Sequence, residues 1–185
     1  MNPQAAIRLR TPRLLLRDWR DEDVEPFVEM NGDADVTRFL RGGTGYTRED
    51  TLALIDRIRQ HWIEHGFGVL AVELRSSGAF VGYVGVAVPA FLPEVLPSVE
   101  IGWRLASGVW GQGLATEGAR EVMRWSFEEL ALDRLISVIH PDNTASIRVA
   151  EKIGMHPWIE TVDPNYGHGL VVYEVLPEEQ GPPTG

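Results

Sequence analysis

The chain lacks cysteine altogether. Disulfide bridges, thiolate metal sites and cysteine nucleophiles are therefore excluded, and a reducing cytoplasm is compatible with the protein. The sequence also lacks any apolar run approaching the roughly 18 residues of a membrane span, and the segment from Met1 to Arg8 shows no apolar core of a secretory signal. We expect a soluble, cytoplasmic protein with no membrane partner.

The sequence contains few basic residues compared with acidic ones. The 17 Lys and Arg residues stand against 27 Asp and Glu residues, which gives a formal net charge of −10. Such a charge balance repels nucleic-acid phosphates and anionic lipids. We therefore expect no nucleic-acid partner, and the balance favours a cationic partner.

Length and composition are those of one globular domain. The chain has 185 residues, of which 44% are hydrophobic and 24% charged, enough for one substantial core. We predict a single domain over residues 1–185, with a folded core over 7–176. Residues 177–185 are acidic and then rich in Pro and Gly, which is typical of a flexible tail. The sequence is compatible with a monomer or a homodimer.

Hydrophobic periodicity predicts a mixed order of strands and helices. Continuous or alternating apolar runs predict strands at 13–19, 67–74, 79–88, 98–105, 134–140, 155–162 and 169–176. Apolar residues at spacings of three and four predict helices that begin near residues 21, 47, 113 and 143. The resulting order, β-αα-β-β-β-α-β-α-β-β, fits neither a doubly wound sheet nor an all-β sandwich, so the predicted fold class is α+β.

A glycine-rich segment, Gly108-Val-Trp-Gly-Gln-Gly-Leu-Ala-Thr-Glu-Gly118, joins a strand pattern to a helix pattern. A glycine turn at the start of a helix leaves backbone N–H groups unpaired at the positive end of the helix dipole, which makes an anion site. A P-loop would need Lys and then Ser or Thr directly after Gly113, where Leu114 and Ala115 stand, and a dinucleotide fold would need a third glycine where Thr116 stands. A purely structural tight turn remains open as an alternative.

Motifs on both sides of this turn extend the pattern. Trp110-Gly-Gln-Gly-Leu-Ala-Thr-Glu is preceded by Glu100-Ile-Gly-Trp-Arg-Leu and followed by Asn143-x-x-Ser146 and Lys152-Ile-Gly-Met. Together with Arg-Leu-Leu-Leu-Arg near the N-terminus, these segments resemble the GNAT N-acetyltransferases, and most of all their RimJ/RimL-like branch of ribosomal-protein N-acetyltransferases. Trp110 stands where the family motif Arg/Gln-x-x-Gly-x-Gly/Ala has its first residue, a departure common in that branch.

The resemblance implies a GNAT fold, in which a central mixed, mostly antiparallel sheet of about seven strands is flanked by about four helices. It also implies that acetyl-CoA is the co-substrate and that no metal is needed. The pyrophosphate would lie on the glycine turn, the pantetheine would pair with the free edge of strand 98–105, and Asn143 would contact the cofactor besides its ordinary role as a helix cap. The implied cofactor-binding residues are Trp103, Leu105, Gly111, Gln112, Gly113, Leu114, Ala115, Thr116 and Asn143.

Amide formation requires an uncharged amine, so a carboxylate or a water relay must remove a proton from the ammonium form. Glu100 is the leading candidate, because it lies on the cofactor strand and shares a face with Gly102, which leaves room beside it. A solvated or ion-paired carboxylate is the alternative. The resemblance implies that Ser146 protonates the departing CoA thiolate, the alternative being a serine that only satisfies backbone groups. Glu117 is disfavoured as a base, since a first-turn acid already complements the helix dipole.

The predicted reaction is transfer of acetyl to a primary amine by direct attack in a ternary complex. The acceptor is a protein N-terminus or a small-molecule amine. We expect its pocket to form from loops around Phe39, Leu40 and residues 89–97, with His140 and His168 as candidate wall residues.

Two other functions compete with this reading. A non-catalytic acyl-CoA-binding module would keep the glycine turn, but the presence of Glu100 and Ser146 argues against it. The segment His61-Trp-Ile-Glu-His65 matches the pattern of inverted zinc peptidases, with two histidines one helical turn apart. Gly66 would end the helix at the second histidine, and an apolar stripe already gives the helix a packing role, so we expect no metal site.

Overall fold

A computed structural model describes residues 8–177; the predicted tail residues 178–185 lie outside the described part. The described strands are β1 (Arg8–Arg10), β2 (Leu14–Arg17), β3 (Val69–Leu74), β4 (Phe80–Ala87), β5 (Val99–Leu105), β6 (Leu135–Ile139), β7 (His156–Val162) and β8 (Gly169–Val175). The described α-helices are α1 (Val24–Gly32), α2 (Ala34–Thr37), α3 (Arg48–His65), α4 (Leu114–Glu128) and α5 (Thr144–Lys152). None of these helices is long and apolar enough to span a membrane.

All eight strands form one sheet in the order β1-β2-β3-β4-β5-β6-β8-β7. Every neighbouring pair is antiparallel except β5 and β6, which are parallel. The predicted α+β class with a mostly antiparallel sheet is therefore confirmed. The sheet has one strand more than the seven expected because β1 is a three-residue strand, too short to show a hydrophobic period. The short helix α2 was missed for the same reason.

Capping residues set the helix boundaries. Thr47 and Asp50 form a reciprocal capping box at the start of α3, and Gly66 ends this helix in the left-handed conformation (φ 74°). The start of the helix near residue 47 and its end at Gly66 were predicted from the sequence. The apolar pattern predicts a helix that continues to about Leu132, but α4 ends at Glu128. The N–H groups of Leu130 and Leu132 donate instead to carbonyls of the last helical turn.

Side chains of alternate residues on the strands pack into different clusters on the two faces of the sheet. Val84 belongs to the main core beneath α4, together with fully buried Ile101 and Val122. Tyr83, the neighbouring residue, packs instead with Phe27 among the side chains of α1 and α3. The sheet is thus covered on both faces, with α4 supporting β4 and β5 from one side.

Candidate active site

The parallel strands β5 and β6 separate shortly after they begin. They pair only at Val99 with Leu135 and at Glu100 with Ile136. At the end of β5, the N–H of Ala106 donates to the carbonyl of Val81 on β4. In an antiparallel ladder, successive residues direct their backbone groups alternately toward and away from the partner strand. The N–H and C=O groups of Trp103 and Leu105 therefore point away from β4. A gap lined by free backbone groups opens between the strands, and such an edge accepts an extended chain.

Trp110 connects the glycine turn to the end of this edge. Its indole Nε1 donates to the Leu105 carbonyl at 2.8 Å, while 49% of the residue is exposed. The Leu105 carbonyl is therefore occupied, and the Leu105 N–H is the group left for a ligand. Trp110 fixes where the turn starts relative to β5.

The glycine turn has the geometry expected of an anion site. Gly111 and Gly113 adopt left-handed conformations with φ of 74° and 76°, and Gly113 caps α4 without a side-chain hydrogen bond. Backbone hydrogen bonding in α4 begins at Glu117, whose N–H donates to the Gly113 carbonyl at 3.0 Å. Within residues 8–177, nothing accepts from the N–H groups of residues 111–116. These donors at the positive end of α4 fit a pyrophosphate.

The segment before β2 braces this turn through Glu117. The Glu117 carboxylate accepts from Thr11 Oγ1 at 2.6 Å, from Arg13 N at 2.9 Å and from Arg13 Nε at 2.6 Å. Arg13 also donates through Nη1 to the Gln112 carbonyl at 2.8 Å. Burial raises the pKa of Glu117, but these hydrogen bonds outweigh it and leave the pKa below its ordinary value. Glu117 is thus an ionised anchor, unsuited to act as a base.

Glu100 lies where the gap opens. Its Oε1 accepts from the Val138 N–H on β6 at 3.3 Å, so the side chain occupies a backbone donor that the separating strands leave unpaired. Burial raises the pKa of Glu100 to about 7, against the lowering effect of this hydrogen bond. No basic side chain in the described part of the chain forms an ion pair with it. A carboxylate that titrates near neutral pH is suited to take up a proton during a reaction.

Asn143 and Ser146 begin α5 on the opposite side of the gap. The Asn143 side chain caps the helix by accepting from the Ser146 N–H at 3.1 Å, so the predicted capping role is confirmed. The Ser146 hydroxyl, in contrast, makes no hydrogen bond within residues 8–177. It is therefore free to donate to a ligand.

One cavity of about 740 Å³ joins these groups. All the predicted site residues line it except Gln112, whose carbonyl is held by Arg13. Those that do are Glu100, Trp103, Leu105, Gly111, Gly113, Leu114, Ala115, Thr116, Asn143 and Ser146. Residues from four separate elements thus meet in one space.

The far end of the cavity is aromatic. Phe39, Leu40, His140 and His168, all named from the sequence, line it. The Phe39 and His140 rings lie 5.3 Å apart and the His140 and His168 rings 5.1 Å apart. The Asp142 N–H donates to His140 Nδ1 at 3.1 Å, so the proton of a neutral His140 is on Nε2.

Several lining residues were missed by sequence reasoning because no local motif marks them. Tyr83 comes from β4, Arg38 follows α2, and Asp163 comes from the connection between β7 and β8. Burial raises the pKa of the Tyr83 hydroxyl. Only the topology brings these elements to the gap.

The histidine pair on α3 does not form a metal site. His61 Nε2 accepts from the Val88 N–H at 3.0 Å, and His61 Nδ1 lies 2.9 Å from the Phe67 carbonyl. Both ring nitrogens are thus used to fasten the end of α3 to the sheet, and burial lowers the pKa of His61. Across residues 8–177, no group of three or more His, Cys, Asp or Glu side chains is arranged to hold a metal ion.

Comparison with known proteins gives concordant matches. Residues 13–156 match the family model described as acetyltransferase (GNAT) domain. A Bacillus subtilis protein named YkkB, itself uncharacterized, is 33% identical over 171 residues, covering 92% of this chain and 96% of its own length.

Solved structures match as well. The structure of an acetyltransferase from Agrobacterium tumefaciens superposes with a TM-score of 0.78 at 29% identity, covering 91% of this chain and 94% of that one. The structure of RimL, a ribosomal L7/L12 alpha-N-protein acetyltransferase in complex with coenzyme A, has a TM-score of 0.76 at 15% identity and covers 94% and 100% of the two chains. At that identity RimL shows a shared fold.

Proposed function

Because the chain belongs to the GNAT acetyltransferase family and is an acetyl-CoA-dependent acetyltransferase, we propose that it transfers acetyl to a primary amine by direct attack, with both substrates bound in the gap between β5 and β6. The observation that carries this proposal is one continuous cavity, which joins the glycine turn, Glu100 and the aromatic end. One space with a donor end and an acceptor end suits a ternary complex.

The donor would be held mainly by backbone groups. The N–H groups of residues 111–116 would bind the pyrophosphate of acetyl-CoA, since within the described residues they have no other acceptor. The amides of the pantetheine would pair with Trp103 and with the Leu105 N–H, as an added strand pairs with a sheet edge. This arrangement directs the thioester along β5 toward Glu100.

Glu100 would act as the general base and Ser146 as the general acid. The C–N bond forms while the C–S bond breaks; Glu100 takes a proton from the amine nitrogen, directly or through water, and the Ser146 hydroxyl protonates the sulfur. Proton exchange through water then carries the proton from Glu100 to the Ser146 oxygen, so that both groups return to their starting states. Burial supports the first role, because it raises the pKa of Glu100 to about 7. The second is supported by a hydroxyl that has no partner within residues 8–177.

The acceptor would enter at the aromatic end, between Phe39 and the two histidines. Aromatic rings bind ammonium groups and also pack against peptide side chains. Both a protein N-terminus, which the name of RimL gives as that enzyme's acceptor, and a small-molecule amine are compatible with this surface.

The experiment is a panel of primary amines, comprising peptides with free N-termini, polyamines and amino acids, each paired with its N-blocked form. CoA release and product mass are recorded for each. We expect release with at least one free amine and none with its blocked partner. An acetylated enzyme that forms from acetyl-CoA before the amine is added, and then passes its acetyl group on, would contradict direct attack. Release with none of the free amines would contradict an amine acceptor.

A further inference from the structure

A second cavity, of about 600 Å³, lies on the outer side of the glycine turn. It shares Gly113, Thr116 and Lys152 with the main cavity, so the two spaces meet at the start of α4. Its walls come from the segment before β2, the first three turns of α4 and the end of α5. The lining residues that carry charge are Arg10, Arg13, Glu117, Arg120, Glu121, Arg124 and Lys152.

This wall is basic in a chain that is acidic as a whole. Five basic residues face two acidic ones here, although the chain has a net charge of −10. The two acidic side chains are each engaged with an arginine of the wall: Glu117 with Arg13 at 2.6 Å and Glu121 with Arg124 at 2.7 Å. The remaining basic residues, Arg10, Arg120 and Lys152, form no ion pair with a carboxylate in the described part of the chain.

Two of these three residues are held next to each other. Arg120 Nη2 donates to the Lys152 carbonyl at 2.8 Å, which joins α4 to the end of α5 beside the junction of the two cavities. Lys152 is also the only lysine in the sequence. A guanidinium and an ammonium thus lie in one wall without compensating negative charge, a combination that suits a phosphate.

The direction of the donor identifies the phosphate. If the thioester lies near Glu100 and the pyrophosphate lies on residues 111–116, the nucleotide end of CoA extends past the turn, toward the start of α4 where the two cavities meet. That half of CoA carries a phosphate on the 3′ position of the ribose. We propose that Arg120 and Lys152, assisted by Arg10, bind the 3′-phosphate of CoA in the second cavity and make the enzyme select CoA over dephospho-CoA. The proposal rests on the function proposed above.

Calorimetry with CoA and dephospho-CoA tests this selection. The wild type should bind CoA about tenfold more tightly, as one or two charge-assisted hydrogen bonds predict. Lys152→Met and Arg120→Met should each reduce the ratio, and the double variant should bring it close to one. Because both ligands are measured on the same protein, a general loss of folding or affinity cancels from the ratio.

The matched control is Arg124→Met. This arginine lies one helical turn beyond Arg120 in the same wall but is engaged by Glu121 and Glu128, so the ratio should be kept. Equal affinities of the wild type for the two ligands would overturn the 3′-phosphate site alone, as would a ratio that survives in the double variant. Failure of the wild type to bind either ligand would overturn the donor site and, with it, this proposal.

Chemical labelling gives a test without substitutions. An amine-reactive ester modifies Lys152 and the α-amine of the chain, since the sequence has no other lysine. We expect CoA to slow the labelling of Lys152 more than an equally saturating concentration of dephospho-CoA does, with the α-amine as internal reference. Equal protection by the two ligands would contradict the assignment.

Discussion

The position of Glu100 on a strand was predictable from the local sequence, whereas its hydrogen bond and its pKa depend on the fold. The period-two pattern of residues 99–105 was enough to place Glu100 on a strand beside Gly102. Its contact with the Val138 N–H was not predictable, because this donor is exposed only where β5 and β6 separate. The raised pKa of Glu100 follows from its burial where β5 and β6 separate. The alternating pattern of a strand does not show where two strands separate, so this burial could not be predicted from the sequence.

The raised pKa has a consequence for stability. The pKa of Glu100 rises from an ordinary 4.5 to about 7 in the folded protein, so between these values the folded state holds a proton that the unfolded chain has lost. Stability therefore falls as pH rises through this window. We expect Glu100→Gln to remove this effect. The thermal midpoint of the variant minus that of the wild type should therefore increase as the pH is raised from 5 to 8. Calorimetric melts of the ligand-free proteins measure this, and a constant difference between the two midpoints would contradict it.

Ser146 is a second residue whose position carries a prediction. Ser146→Ala should lower kcat by about 10- to 100-fold, as for the loss of a general acid, while acetyl-CoA affinity and the thermal midpoint change little, since no group among the described residues bonds the hydroxyl. Ser137→Ala, in the wall of the same cavity, is the control and should keep kcat. Stopped-flow measurement of CoA release checks both variants. Equal kcat for Ser146→Ala and the wild type would return this serine to a structural role.

At the scale of elements, the glycine turn and α4 behave as one unit tied to the N-terminal segment. The sequence predicted the turn, the helix and the unpaired N–H groups, because these follow from glycine conformation and helix geometry. It did not predict the clamp of Thr11 and Arg13 on Glu117, which joins residues more than 100 positions apart. Local sequence patterns predict helix caps and helix or strand periodicity, whereas this clamp forms only because β2 lies beside α4 in the fold.

The clamp predicts an effect on donor binding. Glu117→Gln removes the charge that holds Arg13, and Arg13 in turn holds the Gln112 carbonyl within the turn. We expect the Kd for CoA to rise on the order of fivefold, the loss of part of one charge-assisted hydrogen bond, with kcat at saturating acetyl-CoA nearly kept. Glu128→Gln, on the same helix but outside both cavities, is the control. Titration calorimetry measures the Kd values, and equal values for Glu117→Gln and Glu128→Gln would show that the clamp does not position the turn.

At the scale of the whole molecule, topology assembles the site. The sheet order places β5 next to β6, and the parallel pairing ends after two residue pairs. The end of the cavity that we propose for the donor was predictable because its residues lie within continuous motifs. The end that we propose for the acceptor was predictable only in part, since lining residues such as Tyr83, Arg38 and Asp163 come to the cavity from three distant segments. The acceptor itself depends on the shape of that end, which no single segment encodes.

In the proposed mechanism, the gap between β5 and β6 holds the thioester next to the Glu100 carboxylate, which acts as the base. The pH dependence of kcat for the wild type and Glu100→Gln, at saturating acetyl-CoA and with an acceptor whose own amine titrates outside the range, tests it most directly. We predict that the wild-type kcat rises with pH through an apparent pKa near 7. The kcat of Glu100→Gln should not rise with pH in this way, and above pH 7 it should be about 100-fold lower than that of the wild type. The Kd of the variant for CoA should be unchanged. A Glu100→Gln variant with the wild-type pH profile and kcat would rule out Glu100 as the base.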